Sequence, residues 1–206
     1  MLAAVMKLII GLGNPGQEYA RSRHNAGWMI ADAFAEKFRI RIDKHEKEAM
    51  TGTGRVAGDS VMVAKPLTYM NRSGDAVKLL ANAYTESLAD IIVVFDEVDL
   101  PLGRIRIRER GSSGTHNGMR SVVASLASES FPRLRFGVRG ANYEEVARLR
   151  DYVLDDFEEG ELPVVRRNIE RSVDALLLFA RGDIRRAMNA FNREEAESEP
   201  ESPETT

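Results

Sequence analysis

The sequence predicts an α/β fold: a single-domain sandwich with a mixed, mostly parallel central sheet flanked by helices. Three observations carry this expectation. Short apolar, β-rich runs alternate along the chain with amphipathic helical patterns. The 206 residues, 43% hydrophobic and 30% charged, suffice for one ordinary globular domain with a sizeable core. No internal repeat or long linker divides the chain, so residues 1–192 read as one domain and 193–206 as an acidic tail.

The elements follow in order. KLII (7–10) reads as a short buried strand. The residues before it lack a basic n-region and a cleavage site, and GLGNPG interrupts the apolar run. They read as a lead into the strand rather than a signal peptide, with Met6 as good a start as Met1. Residues 26–38 read as a helix with Trp28, Ala31, Ala35 and Phe38 on one face. VMVAK (61–65) is a second buried strand, and Ser73 is placed to cap a helix over 74–84 carrying Val77, Leu80, Ala81 and Tyr84 on one face. DIIVVFDE (90–97) is the strongest strand signal and ends in two carboxylates. RIRIR (104–108) and LRFGV (134–138) alternate as half-buried strands do. Between them, ERGSSGTHNG (109–118) is a Gly/Ser loop, and Met119, Val122, Val123 and Leu126 mark a helix. Leu162, Val165, Ile169, Val173, Leu176, Leu177 and Ala180 make a long amphipathic helix. Gly182 stops it, and Asp183 caps a last helix ending near Asn192.

Composition narrows the chemistry. With no cysteine, disulfides, thiolate catalysis and Cys-ligated zinc are excluded, which fits a cytoplasmic protein. No apolar run is long enough to span a membrane. Net charge is −3, but residues 194–206 hold six Glu and no Lys or Arg, so residues 1–193 carry +3. The tail lacks aromatic and β-branched apolar residues and is expected to be disordered. The mildly basic remainder is compatible with a nucleic-acid partner.

The first candidate site is LIIGLGNPGQEYARSRHN (8–25). Gly11, Gly13 and Gly16 fit G-x-G-x-x-G, the dinucleotide fingerprint. That fingerprint needs a helix opening at the third glycine to face the pyrophosphate. Here Asn14-Pro15-Gly16 reads as a turn, a polar run follows, and the amphipathic helix starts ten residues late. The acidic residue expected about 20 positions on falls at Glu36 in mid-helix, and Asp43 is worse spaced. The glycines read better as a tight turn. Of the three histidines, His45 lies in charged DKHEKE and reads as solvated. His24 and His116 sit in RHNAG and THNG, each followed by Asn just before a helix. Asn as a helix cap would explain this locally; its occurrence at two of three histidines favours a functional reading. Strand ends deliver Asn14, Asn71 and Asp96 to one rim. A neutral His oriented by a carboxylate is a general base near pH 7, and amides can hold a carbonyl and its developing oxyanion. GSSGT (111–115) misses G-x-S-x-G, and no HExxH, P-loop or EF-hand loop occurs. A His24/His116/Asp96 metal site is allowed, but nothing local specifies it. Finally, RIRIR turns Arg104, Arg106 and Arg108 away from Ile105 and Ile107, and RLRFGVR turns Arg133, Arg135 and Arg139 outward. No carboxylate is interleaved, so these faces suit phosphate contacts.

The segments GLGNPGQEYARSRHNAGW (11–28), KPLTYMNRSG (65–74), DEVDLPLG (96–103), GSSGTHNGMRSV (111–122), RLRFGV (133–138) and MNAFN (188–192) recur in order in one family. Over roughly residues 6 to 192 the chain closely resembles bacterial peptidyl-tRNA hydrolases. The resemblance implies a cytoplasmic, monomeric α/β enzyme with no metal or cofactor. It implies cleavage of the ester joining a peptide to the 3′ ribose of tRNA, recycling tRNA from prematurely released peptidyl-tRNA. It makes His24 the catalytic base that activates water and Asp96 the group that orients it. Asn14 and Asn71 bind and polarise the substrate, His116 and Asn117 position substrate and water, and Tyr19 and Tyr69 join the substrate-binding set. Arg108 and Arg135 fall at basic positions that hold the tRNA 5′-terminal phosphate and acceptor stem. Thr115 stands where many members have Gly, and Tyr69 where Phe is more usual. A non-catalytic RNA-binding module and a dinucleotide-binding oxidoreductase are the alternatives.

Overall fold

The computed structural model describes residues 6–141, 143 and 149–193. The expected tail disorder and the choice of Met1 or Met6 concern residues 194–206 and 1–5, outside the described residues. Seven strands form one sheet in the order β2-β3-β4-β1-β5-β7-β6. They are β1 (Lys7–Gly11), β2 (Lys44–Glu46), β3 (Ala49–Val56), β4 (Asp59–Pro66), β5 (Ile91–Pro101), β6 (Ile105–Arg108) and β7 (Arg133–Arg139). The helices are α1 (Ala26–Lys37), α2 (Ser73–Tyr84), α3 (Asn117–Leu126), α4 (Leu149–Leu154), α5 (Leu162–Ala180) and α6 (Ile184–Phe191). The sheet is mixed. The central strands β4, β1, β5 and β7 run parallel, while β2, β3 and β6 pair antiparallel at the edges.

Alternation along the strands builds two cores. Ile9, Val63, Val94, Leu134 and Phe136 pack under α1, α5 and α6. Leu8, Ile10, Met62, Val93 and Phe95 face the other way, against α2 and α3. A strand buried on both faces reads as a continuous apolar run, which is why IIVVF stood out. No described helix is long and apolar enough to cross a membrane.

Several local expectations are corrected. The hairpin β2–β3 was not foreseen. Its strands are charged (KHE) or glycine-broken (AMTGTGRV). The glycines have a packing cause: a Cβ at Gly52 would lie 2.2 Å from the carbonyl oxygen of Arg41, where residues 40–41 cross β3. The buried side of α1 is centred on Ala26, Ile30, Ala31 and Phe34; Trp28 and Phe38 are only partly buried. Ser73 does not cap α2. It is the first helical residue, and its hydroxyl donates to the Met70 carbonyl (2.9 Å). β5 continues past Glu97 to Pro101, and α4 was not expected.

The junction of α1 with the sheet places the site. Leu12 N–H donates to the Val94 carbonyl (2.9 Å), so the chain leaves β1 alongside β5. A Cβ at Gly27 would lie 2.4 Å from Val94 O and 2.5 Å from Leu12 O, and one at Gly11 would lie 2.1 Å from Gly27 O. The first turn of α1 therefore rests on the strand ends backbone to backbone. Overpacking such a contact costs about 1–3 kcal/mol.

Candidate active site

Asn14 follows the end of β1 and is buried, with every backbone polar group engaged. Its N–H donates to Asn25 Oδ1 (2.8 Å), and its carbonyl accepts from Asn25 Nδ2 (3.0 Å). Its side-chain Oδ1 accepts from the Met70 N–H (2.8 Å). That bond fixes the amide orientation and leaves Nδ2–H₂ as a donor without a partner among the described residues. Each buried hydrogen bond contributes about 0.5–1.5 kcal/mol net, and breaking one costs about 1–3 kcal/mol. Three together hold Asn14 in one pose. Asn25 thus does not cap α1 with its side chain, as the helix-start explanation supposed; it grips Asn14 instead.

His24 lies in the 3₁₀ turn Arg23–Asn25 that leads into α1. Arg23 moors this turn. Its guanidinium donates to the Asp156 carbonyl (2.7 Å) and Glu161 Oε2 (2.8 Å), and lies 4.3 Å from the Tyr152 ring centroid. His24 Nδ1 meets both oxygens of Asp96, at 2.9 and 3.0 Å. Asp96, on β5, is 1% exposed.

A second imidazole shares this carboxylate. His116 Nε2 lies 2.8 Å from Asp96 Oδ1. His116, not Asn117, caps α3: its Nδ1 accepts the Met119 N–H at 3.1 Å. This pattern assigns the protons. Since His116 Nδ1 is an acceptor, its proton is on Nε2 and is donated to Asp96. An ionised Asp96 only accepts, so His24 donates from Nδ1 and keeps an unprotonated Nε2. The two rings lie 4.9 Å apart.

The electrostatics agree with that arrangement. Burial alone would lower the His24 pKa, but the charge and hydrogen bond of Asp96 outweigh it and raise the value above 6.5. Burial would likewise raise Asp96, but the two histidines hold it well below the usual carboxylate range. His24, Asp96 and His116 could in principle grip a cation, their nearest ligand atoms being within 4.8 Å of one another. Both histidine nitrogens that face Asp96 carry protons in this pattern, however, so the cluster reads as a hydrogen-bonded relay.

The other predicted site residues sit in turns and at a helix start. Asn71 is exposed in the turn Met70–Arg72, beside the Met70 N–H that fixes Asn14. Asn117 is exposed at the start of α3, and Tyr69 is 62% exposed. Tyr19 is half-buried in the turn Gln17–Tyr19. Among the described residues, no hydrogen bond or ring contact joins any of the four to the histidine pair. His45 is exposed on β2, as expected. The third fingerprint glycine, Gly16, opens only that three-residue turn, and α1 begins at Ala26. No helix N-terminus stands where a pyrophosphate would need one.

The arginine faces require correction. β6 and β7 are neighbours, with Arg106 opposite Arg135 and Arg108 opposite Arg133, so the two faces are one. Arg133 does not point outward. It is 2% exposed and donates to the carbonyls of Gly111, Ser112 (3.1 Å) and Glu129 (2.8 Å), bracing the loop before His116. Burial pushes its pKa down to about 10. A carboxylate is also interleaved: Arg135 Nε donates to Glu97 Oε2 at 2.7 Å. The carboxylate at 97 was visible in the sequence, but the parallel β5–β7 register that brings it to Arg135 was not. Arg108 is exposed, with no ionic partner among the described residues.

Comparison with known proteins finds relatives along nearly the whole chain. A family model described as peptidyl-tRNA hydrolase matches residues 8–199. A peptidyl-tRNA hydrolase of Clostridium botulinum (strain Alaska E43 / Type E3) is 42% identical over 187 residues, covering 91% of this chain and 96% of its own. One from Geobacillus kaustophilus (strain HTA426) is 42% identical over 188 residues, covering 91% of this chain and 100% of its own. The crystal structure of peptidyl-tRNA hydrolase from Acinetobacter baumannii superposes with a TM-score of 0.85 at 33% identity, covering 95% of this chain and 98% of that one.

Proposed function

The chain belongs to the peptidyl-tRNA hydrolase family, and from that premise we propose how its cleft divides the work of cleaving the ester between a peptide and the 3′ ribose of tRNA. The observation that carries the assignment is the shared carboxylate. With Asp96 accepting from His24 Nδ1 and His116 Nε2, His24 Nε2 is left as the basic atom. It takes a proton from water as the oxygen attacks the ester carbonyl. The imidazolium so formed is stabilised by Asp96, then returns the proton to the departing 3′ oxygen. The products are a free peptide acid and a tRNA available for recycling.

Asn14 is suited to the developing oxyanion, because its Oδ1 is committed to Met70 and only Nδ2–H₂ faces outward from its bonds. Asn71, Asn117, Tyr19 and Tyr69 line the approach as substrate contacts. His116 positions the water and substrate through the carboxylate it shares. Arg108 and Arg135 hold the acceptor stem. The scheme draws every group from one chain and calls on no cofactor or metal, and a cytoplasmic monomer is part of the same proposal. The RNA-binding alternative leaves the two-histidine carboxylate without a purpose.

Because only neutral His24 accepts a proton, the pH profile tests the assignment. The kcat/KM for an N-acyl-aminoacyl-tRNA should fall on acidification through an apparent pKa above 6.5. A stability contribution runs the other way: the raised pKa makes protonated His24 stabilising below 6.5, and that is lost as pH climbs through the folded-state value. An activity profile flat from pH 5 to pH 8 would remove His24 as the base.

The phosphate contact is testable separately. Arg108→Ala should weaken tRNA substrates and reduce the slope of log affinity against log salt by about 1. A short acyl-nucleoside ester should be hydrolysed as before. Equal losses on both substrates would make Arg108 structural.

A further inference from the structure

The arginine face has a second potential occupant within the same chain. β6 is an edge strand, yet its outer backbone at Ile107 is closed. The Ile107 N–H donates to Asn192 Oδ1 (2.7 Å), and Asn192 Nδ2 donates to the Ile107 carbonyl (2.9 Å). This clamp fixes the chain at the end of α6 to one point on the sheet edge. Arg106 and Arg108 flank that point, on the sheet face opposite the buried Ile105 and Ile107. Neither arginine has a hydrogen-bond or ion-pair partner among the described residues.

Two positions past Asn192 the sequence becomes EEAESEPE. Glu195, Glu197, Glu199 and Glu201 recur every second residue, the spacing of Arg106 and Arg108 on β6. In extended chains both sets repeat at about 6.6–6.8 Å. Three or four residues span about 10–14 Å, enough to pass from the clamped edge to the arginine face. Charge, period and point of departure thus match.

We propose that the glutamates of residues 194–201 lie against Arg106 and Arg108 as an internal polyanion that competes with tRNA phosphates. The competition rests on the tRNA role assigned to Arg108; the contact itself does not. A peptidyl-tRNA that also engages the ester site displaces the glutamates, whereas RNA held by phosphates alone does so poorly. The acidic segment therefore acts as a filter against non-specific RNA.

The test uses the full chain with Glu195, Glu197, Glu199 and Glu201 changed together to Gln. In substrate-free protein, the Nε–Hε resonances of Arg106 and Arg108 should differ between the two proteins. At about 0.05 M salt the variant should bind deacylated tRNA roughly 2- to 30-fold more tightly, the range for two exposed ion pairs. The difference should vanish by about 0.5 M salt, where exposed charges are screened. Turnover of a short ester should not change. Identical arginine resonances and identical tRNA affinity would overturn the proposal. Resonance differences that depend on protein concentration would also overturn it, by placing the glutamates on a second copy. If Arg108→Ala left tRNA affinity unaltered while the resonances moved, the tRNA role of Arg108 would fall and the contact would stand.

Discussion

Replacing His24 with alanine should lower kcat for peptidyl-tRNA hydrolysis by about 10²–10⁴-fold, the usual worth of a positioned general base. KM should change little, because the amides and arginines that hold the substrate are untouched. The expectation comes from the proton inventory. His24 Nδ1 is committed to Asp96 at 2.9–3.0 Å and His116 Nδ1 to the backbone of α3 at 3.1 Å. Of the four ring nitrogens, only His24 Nε2 is free to accept. Alanine also leaves Asp96 buried with one histidine instead of two, so its carboxyl should titrate at higher pH than in the parent and thermal stability should drop. A variant that melts cooperatively yet has lost turnover carries the assignment. One with unchanged kcat would transfer the base elsewhere.

Much of this centre was legible because strands end where the chemistry starts. IIVVF announces a doubly buried strand, so the carboxylate at its end had to lie at the carboxyl rim of the sheet. KLII does the same for Asn14. Histidine is rare in the chain, which drew attention to His24 and His116. The parts that stayed hidden depend on register or on atoms that sequence does not orient. Asn25 could have capped its helix; only the fold shows it spanning Asn14 with two bonds. His116 was expected to handle substrate, and nothing local said that it would share Asp96. The alternation in RLRFGVR placed Arg133 on the outer face, correctly as to side. It did not show that the loop 109–116 would fold over that arginine and use its guanidinium as a brace. The hairpin β2–β3 escaped because β2 is three charged residues at the sheet edge, and the glycines of β3, set by a crossing chain, do not look like a strand.

Asp96→Asn should be at least as severe as removing the base, with kcat reduced about 10⁴-fold, the scale seen when a carboxylate orienting a catalytic histidine becomes an amide. Two N–H groups converge on Asp96, and the carboxylate accepts both. An asparagine replaces one of the two oxygens with an N–H₂ donor, and His24 Nδ1, which meets both oxygens, faces that donor in either orientation. His116 is the harder to change, because flipping its tautomer would set Nδ1–H against the Met119 N–H at the start of α3. The amide oxygen therefore goes to His116 and the amide nitrogen to His24. His24 Nδ1 becomes an acceptor, and its proton moves to Nε2, the atom that must take a proton from water. The base is then present but occupied. The charge that raised the His24 pKa is gone as well, leaving burial to lower it. Stability should respond with the opposite pH sense from His24. The depressed Asp96 pKa contributes stability that is complete above 3.8 and lost as pH falls through the lower folded-state value, so the variant should lack that part of the acid sensitivity. Nitrogen NMR of the imidazoles provides a readout independent of turnover: His24 should carry its proton on Nδ1 in the parent and on Nε2 in the variant. A variant keeping kcat within tenfold of the parent, with its proton still on Nδ1, would show that orientation by Asp96 is not what makes His24 a base.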